Sequence, residues 1–170
     1  KNQASPRYKP LPPLYPTVNN CSGPATNRLG AEHHALLPKT DGSPMQRWNI
    51  AITGFGSIGK AVAGIIPERE QHYKTRYAAD VRIVGVCGSQ AGLIDPAGLP
   101  WTQGAELSLQ PGVTGPGFVE RAQADVLIEA GPTDFKTGGS GYLYIREALS
   151  RGTHAITISK GALVFDYAGL

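Results

Sequence analysis

The sequence lacks any apolar run of the length that a membrane helix needs, which is about 20 residues. It has only two cysteines, Cys21 and Cys87, which are too few for a disulfide framework and are not spaced like zinc ligands. Charged residues are also scarce, at 17% of the chain. We therefore expect neither a membrane protein nor a disulfide-stabilised scaffold, and no metal site.

The small net charge of +3 is distributed unevenly along the 170 residues. Residues 1–47 carry six basic and two acidic side chains, a balance of +4, whereas residues 48–170 carry ten basic and eleven acidic ones, a balance of −1. A domain that binds nucleic acid needs a basic face on its globular part. The near-neutral 48–170 region gives no reason to expect a nucleic-acid partner.

Residues 1–47 also hold 8 of the 14 prolines, which favour extended polyproline II geometry over a packed helix. We predict a disordered or extended Pro-rich leader at 1–47, which forms no recognised domain, and one domain at 48–170. The leader is basic and poor in acids, like an organelle transit peptide, so the expected cytoplasmic location has organelle targeting as its alternative. Adjacent His33 and His34 are a poor chelate. The first residue, Lys1, and an unfinished helix predicted at 162–170 indicate a fragment or a processed product.

Glycine is abundant, with 22 residues, and three of them form a motif. The β-prone run 48–53 ends in a Gly-x-Gly-x-x-Gly loop that opens an amphipathic helix, which is the context required of a dinucleotide-binding fingerprint. Gly54 allows the tight turn, Gly56 leaves room for a pyrophosphate, and Gly59 lets the helix pack closely on the strand. The positive end of the helix receives the phosphates. A glycine-rich turn that binds nothing is the alternative.

The helix is predicted to run from about 57 to 78, with Pro67 kinking or splitting it. A near-continuous apolar run at 81–87 is typical of a parallel strand buried on both faces, and Cys87 is interpreted as a core residue. The strand ends in Gly88, Ser89 and Gln90, without the carboxylate that binds a ribose 2′-OH and repels a 2′-phosphate. Because Ser89 or Gln90 can hydrogen-bond such a phosphate, the balance slightly favours NADP over NAD, although no arginine or lysine is present there.

Glycine and proline interrupt residues 91–124, where we expect loops with one or two short helical turns. A strand at 124–130, a helix at about 142–151 with Gly152 as C-cap, and a strand at 153–158 follow. The alternation of strand and helix predicts an α/β fold, a Rossmann-like doubly wound parallel sheet that binds ligands at the carboxyl ends of its strands.

Two blocks of this sequence resemble the N-terminal NAD(P)-binding domain of the homoserine dehydrogenase family. The first block joins 49–59 to Ile83-Val84-Gly85-Val86 and to Asp95-Pro96-Ala97-Gly98-Leu99. The second joins 124–138, 145–149 and 152–161, and is similar to the family's strand ending in Thr-Pro-Thr-Asn and its later strand ending in Asn-Lys-Gly. The resemblance covers residues 49–170 and leaves the leader without a counterpart.

The resemblance implies a role for each matching position. The pyrophosphate would be held by Gly54, Phe55, Gly56, Ser57, Ile58 and Gly59. The nicotinamide and ribose side would be lined by Gly131, Pro132 and Thr133. Lys160 would lie between cofactor and substrate as the catalytic residue that assists proton movement at the substrate oxygen. The implied activity is the NAD(P)-dependent interconversion of aspartate semialdehyde and homoserine, an amino-acid substrate, by a protein that forms a homodimer.

Four positions depart from the family pattern: Gly131 replaces threonine, Asp134 and Ser159 each replace asparagine, and Ala162 replaces proline. The family's substrate and dimerisation region would lie beyond Leu170, so we expect this chain alone to be inactive. A stand-alone NAD(P)-binding regulatory or sensor module without catalysis is the main alternative. Another Rossmann-like enzyme, such as a methyltransferase, would explain the glycine loop but not the motifs at 131–133 and 159–161.

Overall fold

The computed structural model describes residues 44–102 and 106–170. The predicted leader therefore lies outside the described residues except for 44–47, as do Cys21, His33 and His34. No helix in the described part of the chain is long and apolar enough to cross a membrane.

Eleven elements follow one another in the described residues. In chain order they are β1 (Gln46–Thr53), α1 (Ser57–Glu68), α2 (Glu70–Tyr77), β2 (Ala79–Cys87), β3 (Ala91–Ile94), β4 (Gln110–Pro111), α3 (Phe118–Ala122), β5 (Val126–Glu129), α4 (Gly139–Ser150), β6 (His154–Thr157) and α5 (Gly161–Asp166).

The strands form a six-stranded sheet in the order β4-β3-β2-β1-β5-β6. Its four central and C-terminal strands are parallel, because β1 pairs with β2 and β5, and β5 pairs with β6, in parallel register. From β1 the chain adds β2, β3 and β4 on one side, and it then crosses back to add β5 and β6 on the other side of β1. This confirms the Rossmann-like doubly wound α/β fold and places a topological switch point beside β1, where such sheets bind ligands.

The sheet is mixed rather than wholly parallel. Strand β3 is antiparallel to β2, and the two-residue β4 is antiparallel to β3. Both lie in the region where only loops and helical turns were expected. Short strands rich in glycine and proline carry no clear alternation of apolar residues, which is why the sequence does not reveal them.

The predicted helix at 57–78 is split, as the proline indicated. Pro67 lies in the last turn of α1, and Arg69 interrupts the helix with φ −100° and ψ 6° before α2 begins. Helix α5 ends at Asp166, whereas the sequence predicted a helix to Leu170. The C-cap of α4 is Arg151, one residue before the predicted Gly152. Gly152 follows it with φ 75° and donates its N–H to Leu149, while the next N–H, of Thr153, reaches Ala148.

Two hydrophobic layers cover opposite faces of the sheet. In β1, Ile50 and Ile52 pack in the layer that contains Ala63 and Ile66 of α1. Ala51, between them, packs in the layer of α3 and α4. Strand β6 is at one edge of the described sheet. Ile156 in this strand and Ile158 just after it are 53% and 36% exposed. Because alternate residues of β1 pack in the two layers, the loop that follows β1 lies between these layers at the carboxyl end of the strand.

Candidate functional site

The glycine loop between β1 and α1 is packed by protein at two of its glycines and open at the third. Gly54 has φ +75°, and a Cβ there would overlap the backbone nitrogen of Gly131. A Cβ on Gly59 would lie 2.5 Å from the Gly54 carbonyl oxygen. A Cβ on Gly56 would have no atom within 4 Å. The loop therefore has the tight turn, the close helix packing and the open space that a pyrophosphate requires.

The N-terminus of α1 supplies hydrogen-bond donors beside this open space. Gly56 is the N-cap, and no side chain caps the 12-residue helix. The Gly56 N–H donates to Gly54 at 2.8 Å, and the Phe55 N–H donates to the Cys87 carbonyl at 3.0 Å, which ties the loop to β2. The first N–H groups of a helix have no acceptor within it. Those of residues 57–59 are therefore donors that an anionic phosphate can use.

An open cleft of about 590 Å³ lies at the carboxyl ends of β1, β2 and β5. It brings together most of the predicted cofactor-binding residues: Gly54, Phe55, Gly56, Ser57, Ile58, Ser89, Gly131 and Pro132. Gly59 is buried beneath the loop, where its packing role requires it to be. Thr133 and Lys160 do not line the cleft.

A second cavity of about 250 Å³ continues from the cleft between β1, β5 and α4. It shares five residues with the cleft and adds six that the sequence analysis missed: Thr53, Thr114, Gly115, Glu129, Ser140 and Tyr144. They come from four separate parts of the chain. One signal was available, because Glu129 is a charged residue at the end of an otherwise apolar strand, and such a residue is rarely buried without a reason.

Tyr144 of α4 fixes one wall of the inner cavity. Its hydroxyl oxygen accepts the Gly115 N–H at 2.7 Å and lies 2.9 Å from the Thr114 hydroxyl, which donates to the Gly88 carbonyl at 2.8 Å. Burial raises the pKa of Tyr144, although the hydrogen bonds with Thr114 and Gly115 oppose part of that rise. The tyrosine thus joins α4 to the loop before α3 and to the end of β2.

Cys87 belongs to the core, as predicted. Its side chain is fully buried, and its sulfur lies 3.6 Å from the Tyr144 hydroxyl. Burial raises the pKa of the thiol above its ordinary value, so the nucleophilic thiolate is disfavoured. Among the residues that the structure describes, no group of three or more metal-ligating side chains is arranged to hold an ion.

Lys160 lies at the same edge of the sheet as the cleft but outside both cavities. It is the exposed N-cap residue of α5. The next residue, Gly161, packs so closely that a Cβ there would lie 2.5 Å from the Asp134 carbonyl oxygen. The segment carrying Lys160 therefore lies against the loop that carries Gly131, Pro132 and Thr133, on its solvent side.

Comparison with known proteins gives a consistent result. The family model described as "Homoserine dehydrogenase, NAD binding domain" matches residues 54–169. A curated "NAD(+)-dependent homoserine dehydrogenase" of Pseudomonas canavaninivorans is 30% identical over 138 residues, covering 74% of this chain and 39% of that protein. A curated "Homoserine dehydrogenase" of Methanocaldococcus jannaschii is 26% identical over 133 residues, covering 72% and 39% of the two chains.

A solved structure from Archaeoglobus fulgidus, provisionally assigned as a homoserine dehydrogenase, has a similar fold. Its TM-score is 0.58 at 29% identity, and the match covers 72% of this chain and 37% of that one. This chain thus spans roughly two fifths of the length of the curated relatives, at 39% of each. The similarity lies in the part of those proteins that corresponds to the cleft-bearing sheet.

Proposed function

This chain belongs to the family of homoserine dehydrogenase NAD-binding domains, and from that premise we propose that it binds a nicotinamide dinucleotide across the cleft. In the complete protein it would be the nucleotide-binding part of an oxidoreductase that interconverts aspartate semialdehyde and homoserine. The observation that carries this proposal is the glycine loop, which is closely packed at Gly54 and Gly59 and open at Gly56.

The open space at Gly56 supports a pyrophosphate position because backbone and anion can approach each other there without a side chain between them. The N–H groups of residues 57–59 would bind the phosphate oxygens. Gly131 and Pro132 also line this cleft, which supports a position for the nicotinamide and its ribose. The bound cofactor supplies hydride chemistry, and the protein supplies orientation.

Lys160 is the residue that we propose moves a proton at the substrate oxygen. Its exposed position beside the 131–134 loop suits a substrate that approaches the cleft from the open side. An ammonium group there would stabilise the developing negative charge and could then donate the proton. Thr133, also exposed, would lie between this lysine and the cofactor.

The choice of dinucleotide is part of the proposal. Ser89 and Gln90 follow β2 where a carboxylate would exclude a 2′-phosphate, and both are exposed. This favours NADP. The name of the Pseudomonas relative, an NAD(+)-dependent enzyme, favours the other choice. We propose NADP as the preferred ligand because Ser89 lines the cleft directly and offers a hydroxyl to the phosphate.

The substrate and the homodimer are proposed for the complete protein. Because the chain matches 39% of the length of its curated relatives, most of the substrate contacts would come from the rest of such a protein. A second candidate, a cofactor-sensing module without catalysis, is favoured by one observation: Lys160 lines neither cavity.

Isothermal titration of this chain with NADPH, NADH and S-adenosylmethionine tests the proposal. We expect both dinucleotides to bind, NADPH more tightly, and the methyl donor not to bind. Absence of dinucleotide binding, or preferential binding of S-adenosylmethionine, would overturn it. Adding aspartate semialdehyde to the NADPH complex of the complete protein and following cofactor oxidation distinguishes the catalytic hypothesis from the sensing one.

A further inference from the structure

Glu129 is the one charged side chain that is fully buried in the described part of the chain, with 1% of its surface exposed. It is the last residue of β5 and lines the inner cavity next to the cleft. Burying a carboxylate removes its hydration, and such a group is retained only where other donors replace the lost water. The contacts of Glu129 therefore indicate what this residue is for.

The two carboxylate oxygens of Glu129 accept hydrogen bonds from both sides of the site. Oε1 accepts the N–H of Gly131, at 2.8 Å, in the loop that follows β5. Oε2 accepts the hydroxyl of Ser159, in the loop that follows β6, at 2.7 Å. It also accepts a shared hydrogen bond from the Thr157 hydroxyl of β6, at 2.8 Å, because the single proton of that hydroxyl also faces the Ser159 carbonyl at 2.6 Å. A single side chain thus connects the segment proposed to line the cofactor with the segment that carries Lys160.

Two glycines make room for this carboxylate. A Cβ on Gly131 would lie 2.9 Å from Oε1, and a Cβ on Gly141, in the first turn of α4, would lie 2.9 Å from the same oxygen. The carboxylate cannot easily move aside, because its three donors hold it. The departure of Gly131 from the threonine expected by resemblance has a physical reason here: a threonine would require this connection to rearrange.

We infer that Glu129 is a positioning residue that couples the cofactor-lining loop, residues 130–134, to the Lys160-bearing loop, residues 158–161. The inference rests on the proposed function for its catalytic meaning, although the mechanical coupling of the two loops does not depend on that function. Glu129 touches neither cofactor nor substrate in this role. It sets the distance between the two loops through its hydrogen bonds to Gly131 on one side and to Ser159 on the other.

Three variants and one control test the coupling. Ser159→Ala removes one donor on the Lys160 side and leaves the Gly131 bond intact. Glu129→Leu removes all three hydrogen bonds. Glu129→Gln can keep them, because the Thr157 and Ser159 hydroxyls can rotate to accept from its NH₂ group. The control, Thr153→Val, removes the buried hydrogen bond from Thr153 to the Ala124 carbonyl at the opposite end of the same strands.

Amide hydrogen exchange is measured for 130–134 and 158–161, together with the thermal midpoint and the NADPH dissociation constant. We expect Ser159→Ala and Glu129→Leu to speed amide exchange in both loops. Glu129→Leu should also raise the NADPH dissociation constant about tenfold. Glu129→Gln should stay near wild type in all three. Thr153→Val should lower the midpoint while leaving both loops and the dissociation constant unchanged.

The coupling is overturned if Ser159→Ala leaves exchange in 130–134 unchanged, or if Glu129→Leu merely lowers the midpoint as Thr153→Val does. If Glu129→Leu does not fold, the Ser159→Ala comparison still decides the question. If wild-type chain binds no dinucleotide, the proposed function fails, whereas the exchange measurements still decide whether Glu129 connects the two loops.

Discussion

Gly54 and Gly56 lie two residues apart in one loop, and their surroundings are opposite. The backbone of Gly131 occupies the place where a side chain on Gly54 would go, whereas nothing lies within 4 Å of that place at Gly56. A substitution at Gly54 therefore acts on the folded state of the protein itself. A substitution at Gly56 acts instead on the binding of the ligand that occupies the open space.

This contrast gives a matched pair of variants. Gly56→Asp adds a favourable N-cap to α1, so the free energy of unfolding should stay within about 1 kcal/mol of wild type or rise. Its carboxylate would fill the pyrophosphate space and repel the phosphates, and the dinucleotide dissociation constant should rise about a hundredfold or more. Gly54→Ala should instead destabilise the domain by about 2 kcal/mol or more.

Urea unfolding and titration calorimetry on the two variants measure both quantities. If Gly56→Asp bound the dinucleotide as wild type does, the pyrophosphate would not lie at this glycine. The fold could still be correct in that case.

Ser89 provides a second test at the scale of one side chain. Ser89→Asp places a carboxylate where it can bind a ribose 2′-OH and repel a 2′-phosphate. We expect the ratio of NADPH to NADH affinity to fall about tenfold, with Ser89→Ala as the control that removes only the hydroxyl. Fluorescence titration with both cofactors measures the ratio, and an unchanged ratio would move the cofactor's ribose away from the end of β2.

The tight turn and the open position in the glycine loop could be predicted from the sequence because the Gly-x-Gly-x-x-Gly spacing between strand and helix is a local pattern, although the backbone that crowds Gly54 comes from the distant Gly131. The functions of Tyr144 and Glu129 could not be predicted. Tyr144 contacts Cys87 across 57 positions, and Glu129 contacts Ser159 across 30. The order of the strands in the sheet brings these residues together, and a local sequence pattern does not reveal that order. Lys160 was correctly predicted to lie at the end of a strand, but its exposure depends on how Gly161 packs against Asp134.

Among the elements, α3 is a five-residue helix whose N-terminus is capped from another helix. The Glu147 carboxylate of α4 accepts the N–H groups of Gly117 and Glu120, each at 3.2 Å. These N–H groups have no acceptor within α3 itself. The capping therefore holds a short helix and the preceding loop, which lines the inner cavity at Gly115, against α4.

Glu147→Ala should lower the free energy of unfolding by about 1 kcal/mol, as the loss of a helix cap does. The control is Glu120→Gln, which removes the ion pair between Glu120 and Arg151, 2.5 Å apart at the surface. That exposed pair should contribute less than about 1 kcal/mol. Denaturant unfolding measures the loss in free energy of unfolding for both variants. A loss for Glu147→Ala no larger than that for Glu120→Gln would contradict the capping role.

The long, periodic elements were predictable because their apolar pattern matches their geometry, as in the parallel strands and α4. The interruption near Pro67 followed from the missing N–H of proline. The short antiparallel strands β3 and β4 were not predictable. Gly92 of β3 packs where a Cβ would lie 2.7 Å from the Cys87 Cβ, so its position is dictated by a partner strand and not by its own sequence.

At the scale of the whole molecule, acid weakens an electrostatic connection between the first two strands. Asp80 at the start of β2 lies 2.9 Å from Arg82 and 3.6 Å from Arg47 of β1. The hydrogen bond from Arg82 holds the pKa of Asp80 below its ordinary value of 3.8. A lowered pKa in the folded state contributes stability that is present above the unfolded pKa and is lost as the pH falls.

We therefore expect Asp80→Asn to be less stable than wild type at pH 7, by less than about 1 kcal/mol because the two arginines beside it, Arg47 and Arg82, are at least partly exposed to solvent. The difference should shrink as the pH falls below about 4. Urea unfolding across this pH range measures it. A difference that stays constant with pH would assign the effect to packing and not to charge.

Strand β6 forms hydrogen bonds with β5 on one side, and in the described part of the chain no strand pairs with its other side. Unpaired backbone groups flanked by exposed Ile156 and Ile158 are a template for strand pairing between molecules. Association between copies of the chain should therefore increase with its concentration in solution. We expect the apparent molar mass from light scattering to rise with concentration, and Ile156→Lys, which places a charge on this edge, to suppress that rise without changing dinucleotide affinity.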